Sequence, residues 1–435
     1  EINALMALHP KGFDLSLGRI TRLLERLGNP HEKLPPVIHI AGTNGKGSTS
    51  AFCRAILEAQ GLRVHVHTSP HLVNWHERFR IGAEGGGKLV GDEVLADAVR
   101  RVADANRGEA ITVFEILTAV MFVLFSEHPA DAAVGEVGLG GRFDATNVIA
   151  HPAVSVIMSI SLDHQAYLGD RVELIAAEKA GIIKPGSPVV IGAQTEEAAR
   201  EVLIETAERH RCPHSIYGQD FLALEENGRL AYQDEDELLD LPLPKLPGRH
   251  QQANAAAAIR ALKAAGFQLT EKAIAEGLVN VTWPGRLERL THGRLVEGAM
   301  DGVEFWIDGG HNPGAGRVIA EAMANLNDRQ SRPLFLITGM INTKDPVGYF
   351  EAFAGMARHV FTVPVPGSEA GLDPEFLADT ADEAGLTAEA AEDVETAIAA
   401  ICRNWNGLER PPRILIGGSL YLLGEVLREN GTPPV

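Results

Sequence analysis

The sequence is poor in cysteine, in positive charge and in long apolar runs, and each shortage removes a class of function. Its 3 cysteines, Cys53, Cys212 and Cys402, are dispersed singles with no CxxC pair. They form neither an even disulfide framework nor a thiolate zinc site, which suits a reducing compartment. Lys and Arg number 39 against 58 Asp and Glu, a formal charge of −19, and the pI is near 5.3. Nucleic acids and anionic membranes need an uncompensated basic face, so neither partner is expected, although local basic pockets are compatible with this balance. No apolar run reaches transmembrane length and no charged-then-apolar leader pattern occurs, so a cytoplasmic protein is expected. Repeats and low-complexity segments are also missing. The sequence opens on Glu1 rather than Met, and a few residues are expected to precede it.

What is present is an ordinary globular composition, 45% hydrophobic and 22% charged over 435 residues, too long for one core. The most informative stretch is Val37-Ile38-His39-Ile40-Ala41-Gly42-Thr43-Asn44-Gly45-Lys46-Gly47-Ser48-Thr49. β-prone residues run into a glycine-rich turn and then into a helix whose apolar positions Phe52, Ala55, Ile56 and Ala59 share one face, with Gly61 as its stop. A strand, a glycine turn with a lysine and a helix N-terminus make a phosphate cradle: backbone N–H groups face the anion, Lys46 adds a full charge, and Ser48 would reach Mg²⁺. The usual P-loop has four residues between its first glycine and Gly-Lys; here only Thr43 and Asn44 intervene, and Gly47 is inserted before Ser48. A plain strand-to-helix turn needs neither three glycines nor a lysine.

The rest of the chain alternates strands and helices. Leu15, Leu17, Ile20, Leu23, Leu24 and Leu27 predict a helix ended by Gly28-Asn29-Pro30, and Leu62–Thr68 a strand, so the opening is a β-α-β unit. Thr68 to Ile81 mixes proline, histidine, acid and arginine without clear periodicity and reads as a functional loop; a surface excursion is its plainer alternative. Asp92–Asn106 predicts an amphipathic helix. A strongly apolar one opens at Thr112-Val113-Phe114-Glu115, where the glutamate also suits a helix N-terminus. The strand Asp131–Glu136 breaks its apolar run at Glu136, a carboxylate that is costly there unless paired or bound to metal. A strand from Pro152 to Ser161 leads to Asp163-His164, and a helix from Val172 to Ala180 carries Glu178-Lys179. Residues 194–245 are less regular, with a hairpin-like region around Gln233 to Asp240, before an alanine-rich helix carrying Asn254. Trp283-Pro284-Gly285 marks a boundary that divides the chain into 1–283 and 284–435, with Arg286 placed to reach across the cleft.

The second part repeats the alternation on a smaller scale, with strands at Val303–Asp308, Pro333–Thr338, His359–Val363 and Arg413–Gly417. Polar groups follow two of them, in Asp308-Gly309-Gly310-His311-Asn312-Pro313 and Gly417-Gly418-Ser419. Between Arg358 and Arg403 the acid-rich, Lys- and Arg-free stretch reads as a solvated helical face. In an open parallel sheet ligands collect at the carboxyl ends of the strands, and Lys46, Ser48, Glu136 and His164 each follow a strand at that end. Alone, His164 reads as a structural histidine. Beside a phosphate cradle, hydroxyl, carboxylate and imidazole together can hold Mg²⁺. The fold expected is α/β: a P-loop-type, mostly parallel sheet domain followed by a smaller Rossmann-like α/β domain.

Over nearly its whole length the chain resembles the folylpolyglutamate synthases and dihydrofolate synthases, relatives of the Mur ligases. The carriers are Gly42 to Ser48, Thr68-Ser69-Pro70-His71-Leu72, Glu136 to Asn147, Asp163-His164, Glu178 to Ile182, His250 to Asn254, Pro284 to Glu288 and Asp308 to Pro313. The resemblance implies an ATP-dependent ligase in which a pteroate or folyl carboxylate attacks the ATP γ-phosphate, giving an acyl phosphate that the amine of L-glutamate displaces. It further implies that Gly42, Thr43, Asn44, Gly45, Lys46, Gly47 and Ser48 cradle the nucleotide, with Asn254 and Asp308 contacting it and Arg286 reaching its phosphates. Ser48, Glu136 and His164 hold Mg²⁺, and Lys179, which alone would read as a surface ion pair, is carbamylated. Lys46, Lys179, His164 and Arg286 carry the catalysis. His311 and Ser419 fall to the glutamate pocket, and Ser69, Pro70, His71, Phe114 and Glu115 to the pterin substrate. Residues 1–283 are then the ATP-binding domain, 284–435 the glutamate-ligase domain, and the enzyme a monomer. Gly310 stands where the family usually has alanine and Phe143 where leucine is common, which bears on packing rather than chemistry. A muramyl ligase would typically carry a further N-terminal domain, but here the first strand already begins at Val37; a non-catalytic nucleotide-binding module would need neither the second polar cluster nor Lys179.

Overall fold

The structure, a computed structural model, describes residues 16–434. Leu15 of the first predicted helix lies outside them; the rest of that pattern forms the helix Gly18–Arg26, with Ile20, Leu23 and Leu24 buried. The first sheet contains β1 (Val37–Ala41), β2 (Val64–His67), β3 (Phe79–Ile81), β4 (Lys88–Leu89), β5 (Ala132–Glu136), β6 (Val154–Ile157), β7 (Val189–Ile191) and β8 (His214–Ile216). Their order is β4-β3-β2-β5-β1-β6-β7-β8. β2, β5, β1, β6, β7 and β8 are parallel, and β3 and β4 add an antiparallel edge. Of this edge, β3 comes from the segment read as a functional loop. Part of it folds back as β3 because Phe79 is fully buried against the sheet.

Alternation along β1 builds two cores. Ile38 and Ile40 face one side, where the helices Lys46–Ala59, His250–Ala264 and Glu271–Asn280 pack. Val37 faces the other, with the helices Asp92–Asn106 and Val113–Glu127. Ala255 to Ala258 and Ala261 are fully buried, so the alanine run lets helix His250–Ala264 approach helix Lys46–Ala59 closely. β9 (Leu222–Glu226), β10 (Arg229–Gln233) and β11 (Leu238–Pro242) form a small antiparallel sheet, of which only the β10-β11 hairpin was legible in sequence.

The second large sheet contains β12 (Glu288–Leu290), β13 (Glu304–Asp308), β14 (Leu334–Thr338), β15 (Ala357–Thr362), β16 (Ala388–Ala390) and β17 (Arg413–Gly417), in the order β12-β13-β17-β14-β15-β16. Five of these strands are parallel and β12 is antiparallel to β13. The acid-rich stretch is not one helical face. It holds two helices, Pro374–Glu383 and Val394–Arg403, with edge strand β16 between them, because Val360 and Thr362 offer a free sheet edge. The fold is therefore α/β as expected, with the larger parallel-dominated sheet first.

The last helix, Leu420–Asn430, abuts the first part of the chain: a Cβ on Gly424 would collide with the carbonyl oxygen of Leu72. Gly424→Ala is expected to destabilise the protein by about 1–3 kcal/mol, the usual cost of overpacking against backbone. Chemical denaturation measures it, and an unchanged midpoint would contradict this contact.

Candidate active site

The phosphate loop leaves β1 at Gly42 and enters the helix Lys46–Ala59 through Gly45, whose φ of 88° suits glycine. Two contacts explain its glycines. A Cβ on Gly45 would lie 2.8 Å from Asn254 Oδ1, and one on the inserted Gly47 would lie 2.5 Å from the Trp283 indole. The loop is also tied to the end of β6: Thr43 N donates to Ser159 O at 2.8 Å, and Thr43 Oγ1 donates to Ser161 O at 3.1 Å. β1 lies between β5 and β6, so the chain segments after all three strands meet at one rim.

Lys46 Nζ donates to Gly42 O at 3.0 Å and Thr43 O at 3.1 Å. Burial lowers its pKa, opposed by Glu136 and Asp163 and reinforced by Arg286 and Lys344. Glu136 ends β5 and is buried; its carboxyl is raised by desolvation, against the pull of Lys46 and Arg286, and accepts from Ser69 N at 3.4 Å. Lys179 is 6% exposed and donates to Gly42 O at 3.0 Å. Desolvation, then repulsion from Lys46, pulls its pKa to about 7, so this lysine is no surface ion pair. Ser48 Oγ accepts from Gln251 Nε2 at 3.2 Å, and Gln251 Oε1 accepts from Asn254 Nδ2 at 3.0 Å.

The second sheet presents its own carboxyl ends to this rim. Asp308 closes β13, accepts from Leu287 N at 2.8 Å and Gly310 N at 2.6 Å, and is raised by burial against the attraction of Arg286. Arg286 acts electrostatically on Lys46, Glu136, Asp308 and His250, which places its charge near groups of both sheets. His311 Nδ1 bonds Gly309 O at 2.8 Å while Nε2 lies 3.7 Å from Asp163. Ser419 caps the last helix by accepting from Tyr421 N at 3.1 Å.

The remaining expectations divide. His71 Nδ1 accepts from Arg78 Nε at 2.9 Å, and Arg78 lies over Trp75, beside the cis Ser69-Pro70 bond. Phe114 packs on Gly138. Glu115 caps its own helix, accepting from Thr112 N at 2.9 Å, and both oxygens also accept from Arg19 Nε at 3.1 and 3.0 Å. Phe143 is exposed, so its size has no packing consequence, and Gly310 fits because a Cβ there would press on Ile319 at 2.5 Å.

For a divalent cation, Ser48 and Glu136 supply buried oxygen donors of the kind that hard cations take. His164 Nε2 lies 3.4 Å from Lys344 Nζ and 3.9 Å from the Asp163 carboxylate. Burial holds its pKa near 4, so its imidazole is neutral and able to ligate. No group of three or more His, Cys, Asp or Glu is arranged to hold a metal ion among the described residues; the expected set contains only two of these types.

Three groups escaped the sequence reading as site residues. Asp163 would be raised by burial alone, but His311, Lys344 and His164 hold it well below the usual carboxylate range. Asn312 bonds both Asn44 and Asp163. Lys344 follows β14 at its carboxyl end, and that position was its only sequence signal.

Comparison with known proteins shows the family. The Mur ligase middle domain matches residues 40–262 and the Mur ligase glutamate ligase domain residues 285–418. The folylpolyglutamate synthase of Lacticaseibacillus casei is 35% identical over 425 residues, 94% of this chain and 92% of that protein. The chain belongs to the folylpolyglutamate synthase and dihydrofolate synthase family. Among solved members of this family, FolC of Escherichia coli in complex with DHPP and ADP superposes with a TM-score of 0.86 at 29% identity, covering 98% of this chain and 96% of that one. The bifunctional folylpolyglutamate synthase/dihydrofolate synthase of Yersinia pestis, complexed with AMPPNP and Mn ion, gives 0.84 at 28% identity, covering 98% and 97%. The described residues of this family member include no helix long and apolar enough to cross a membrane.

Proposed function

We propose that the chain is an ATP-dependent ligase that adds L-glutamate to the carboxylate of dihydropteroate or of a folate, as a bifunctional dihydrofolate synthase/folylpolyglutamate synthase. The observation that carries this reading is the convergence of Lys46, Lys179, Glu136 and Asp163 with Arg286 and Asp308 from the opposite domain. A carboxylate oxygen attacks the γ-phosphorus and the bond to the β-phosphate oxygen breaks; the glutamate nitrogen then attacks the acyl carbon, loses a proton and expels phosphate. The chemical demand is to neutralise charge gathering on the β-phosphate and to keep water from the acyl phosphate.

In this reading Lys46 and the N–H groups of Gly42 to Ser48 hold the nucleotide phosphates, Asn254 and Asp308 orient the nucleotide, and Arg286 adds charge across the cleft. Ser48 and Glu136, joined by His164, would hold Mg²⁺, which supplies Lewis-acid charge at the phosphate oxygens when bound. Lys179, with a pKa of about 7, is a free amine in a substantial fraction at neutral pH; that amine nitrogen can attack CO₂ and lose a proton, leaving a carbamate beside Lys46. The Ser69-Pro70-His71 segment and Phe114 line the pterin side, and His311 and Ser419 the glutamate side. Residues 1–283 form the ATP-binding part and 284–435 the glutamate-ligase part of a cytoplasmic monomer.

The test is ATP-dependent incorporation of labelled L-glutamate with dihydropteroate and tetrahydrofolate offered separately and a UDP-muramyl acceptor as control. Incorporation into both pterins is expected. Activity with the muramyl acceptor alone, or ADP formation that no acceptor stimulates, would overturn the assignment.

A further inference from the structure

Asp163 belongs to the first domain, yet the second domain supplies most of the groups around its carboxylate. Lys344 Nζ lies 2.8 Å from Oδ1, Asn312 Nδ2 3.3 Å from Oδ2 and His311 Nε2 3.7 Å from Oδ2. The Lys344 and Asp163 side chains are only 5% and 9% exposed. Desolvated charges persist as a pair only where the geometry is good and the remaining hydrogen bonds are made, and that holds here. Asn312 also exchanges two amide hydrogen bonds with Asn44 of the phosphate loop, at 3.3 and 3.2 Å. The approach is close: a Cβ on Gly314 would lie 3.1 Å from Ser161 Oγ and 3.2 Å from Asn44 Nδ2. Second-domain side chains thus hold the loop after β1 and the loop after β6 together.

We propose that the Asp163–Lys344 and Asn44–Asn312 pairs form a latch that keeps the second domain over the phosphate rim while the acyl phosphate exists, with Lys344 as a positioning residue. This rests on the ligase reading. An acyl phosphate partitions between two nucleophiles: the glutamate nitrogen gives amide and phosphate, whereas water attacks the same carbon, regenerates the carboxylate and wastes the ATP. Closure decides between them by excluding water. Lys344 lies in the turn between β14 and the helix Pro346–Glu351, and its ammonium reaches Asp163 only when the two rims are apposed. Loosening that contact admits water without removing a phosphate-loop group, so phosphoryl transfer continues while coupling falls.

The experiment measures ADP released per glutamate incorporated, with tetrahydrofolate as acceptor, in the full-length protein and in Lys344→Met, Lys344→Arg and Asn312→Ala. The unaltered enzyme should give a ratio of about one, Lys344→Met a ratio about threefold or more higher with ADP release little changed, and Lys344→Arg an intermediate one. A merely structural role would lower both products together and leave the ratio alone. An unchanged ratio in Lys344→Met and Asn312→Ala overturns the latch. So does loss of ADP release in a Lys344→Met protein with unchanged ADP affinity and melting temperature, which would move Lys344 into phosphoryl transfer. If Lys344→Met does not fold, Lys344→Arg and Asn312→Ala decide by the same ratio. Failure of the unaltered protein to incorporate glutamate would instead sink the ligase reading itself.

Discussion

Lys46→Met is expected to lower the rate of ADP formation by about 10³-fold, the scale for losing a preorganised charge at a phosphoryl transition state. Lys46 is anchored by Gly42 O and Thr43 O at the helix N-terminus, so its position is set before substrate arrives and no reorganisation is needed during transfer. Burial makes its charge costly, and Glu136 and Asp163 offset that cost. Removing the ammonium leaves two carboxylates facing the phosphate site, so repulsion adds to the lost attraction. Single-turnover ADP release measures the effect, with nucleotide binding followed separately. A loss under tenfold would mean that Arg286, not Lys46, carries the transition-state charge.

Removing CO₂ and bicarbonate is expected to lower activity reversibly, and Lys179→Ala to lower it by about 10²-fold or more, with partial rescue by a small carboxylate such as acetate. Only the free amine of Lys179 attacks CO₂. With its pKa near 7, the amine predominates above neutrality and the ammonium below it, so bicarbonate dependence should steepen as pH falls through 7. The stability sign follows from the same shift. Between about 7 and 10.5 the unfolded chain carries a proton on Lys179 that the folded chain lacks, so for the unmodified lysine stability rises with pH across that window. Full activity in CO₂-free buffer together with no carboxylate rescue would exclude carbamylation.

Much of this arrangement is local and therefore legible in sequence. The predicted helix Asp92–Asn106 and strand Arg413–Gly417 have the bounds observed, because apolar periodicity and the glycines around them act over a few residues. Gly45 and Lys46 were legible because a cradle needs a left-handed turn and a cation within one loop. Glu136 stood out as a carboxylate in an apolar strand, and it is buried. Strands β3 and β16 were not legible. They are short and owe their form to pairing with β2 and β15 rather than to their own pattern. The capping role of Glu115 was legible from its place at a helix start, whereas its ion pair with Arg19, 96 residues away in the chain, was not.

By itself the sequence determined the α/β alternation, the glycine-rich loop with its lysine and the residue types able to handle phosphate and metal, since each depends on neighbours in the chain. Only the tertiary structure decided which charges share a desolvated cleft. Lys179 has a pKa near 7 because folding strips its water and sets it beside Lys46. Asp163 and Lys344, 181 residues apart, became partners because two sheets present their carboxyl ends to one another. Coulombic energy depends on distance and on the solvent removed, and separation along a chain records neither.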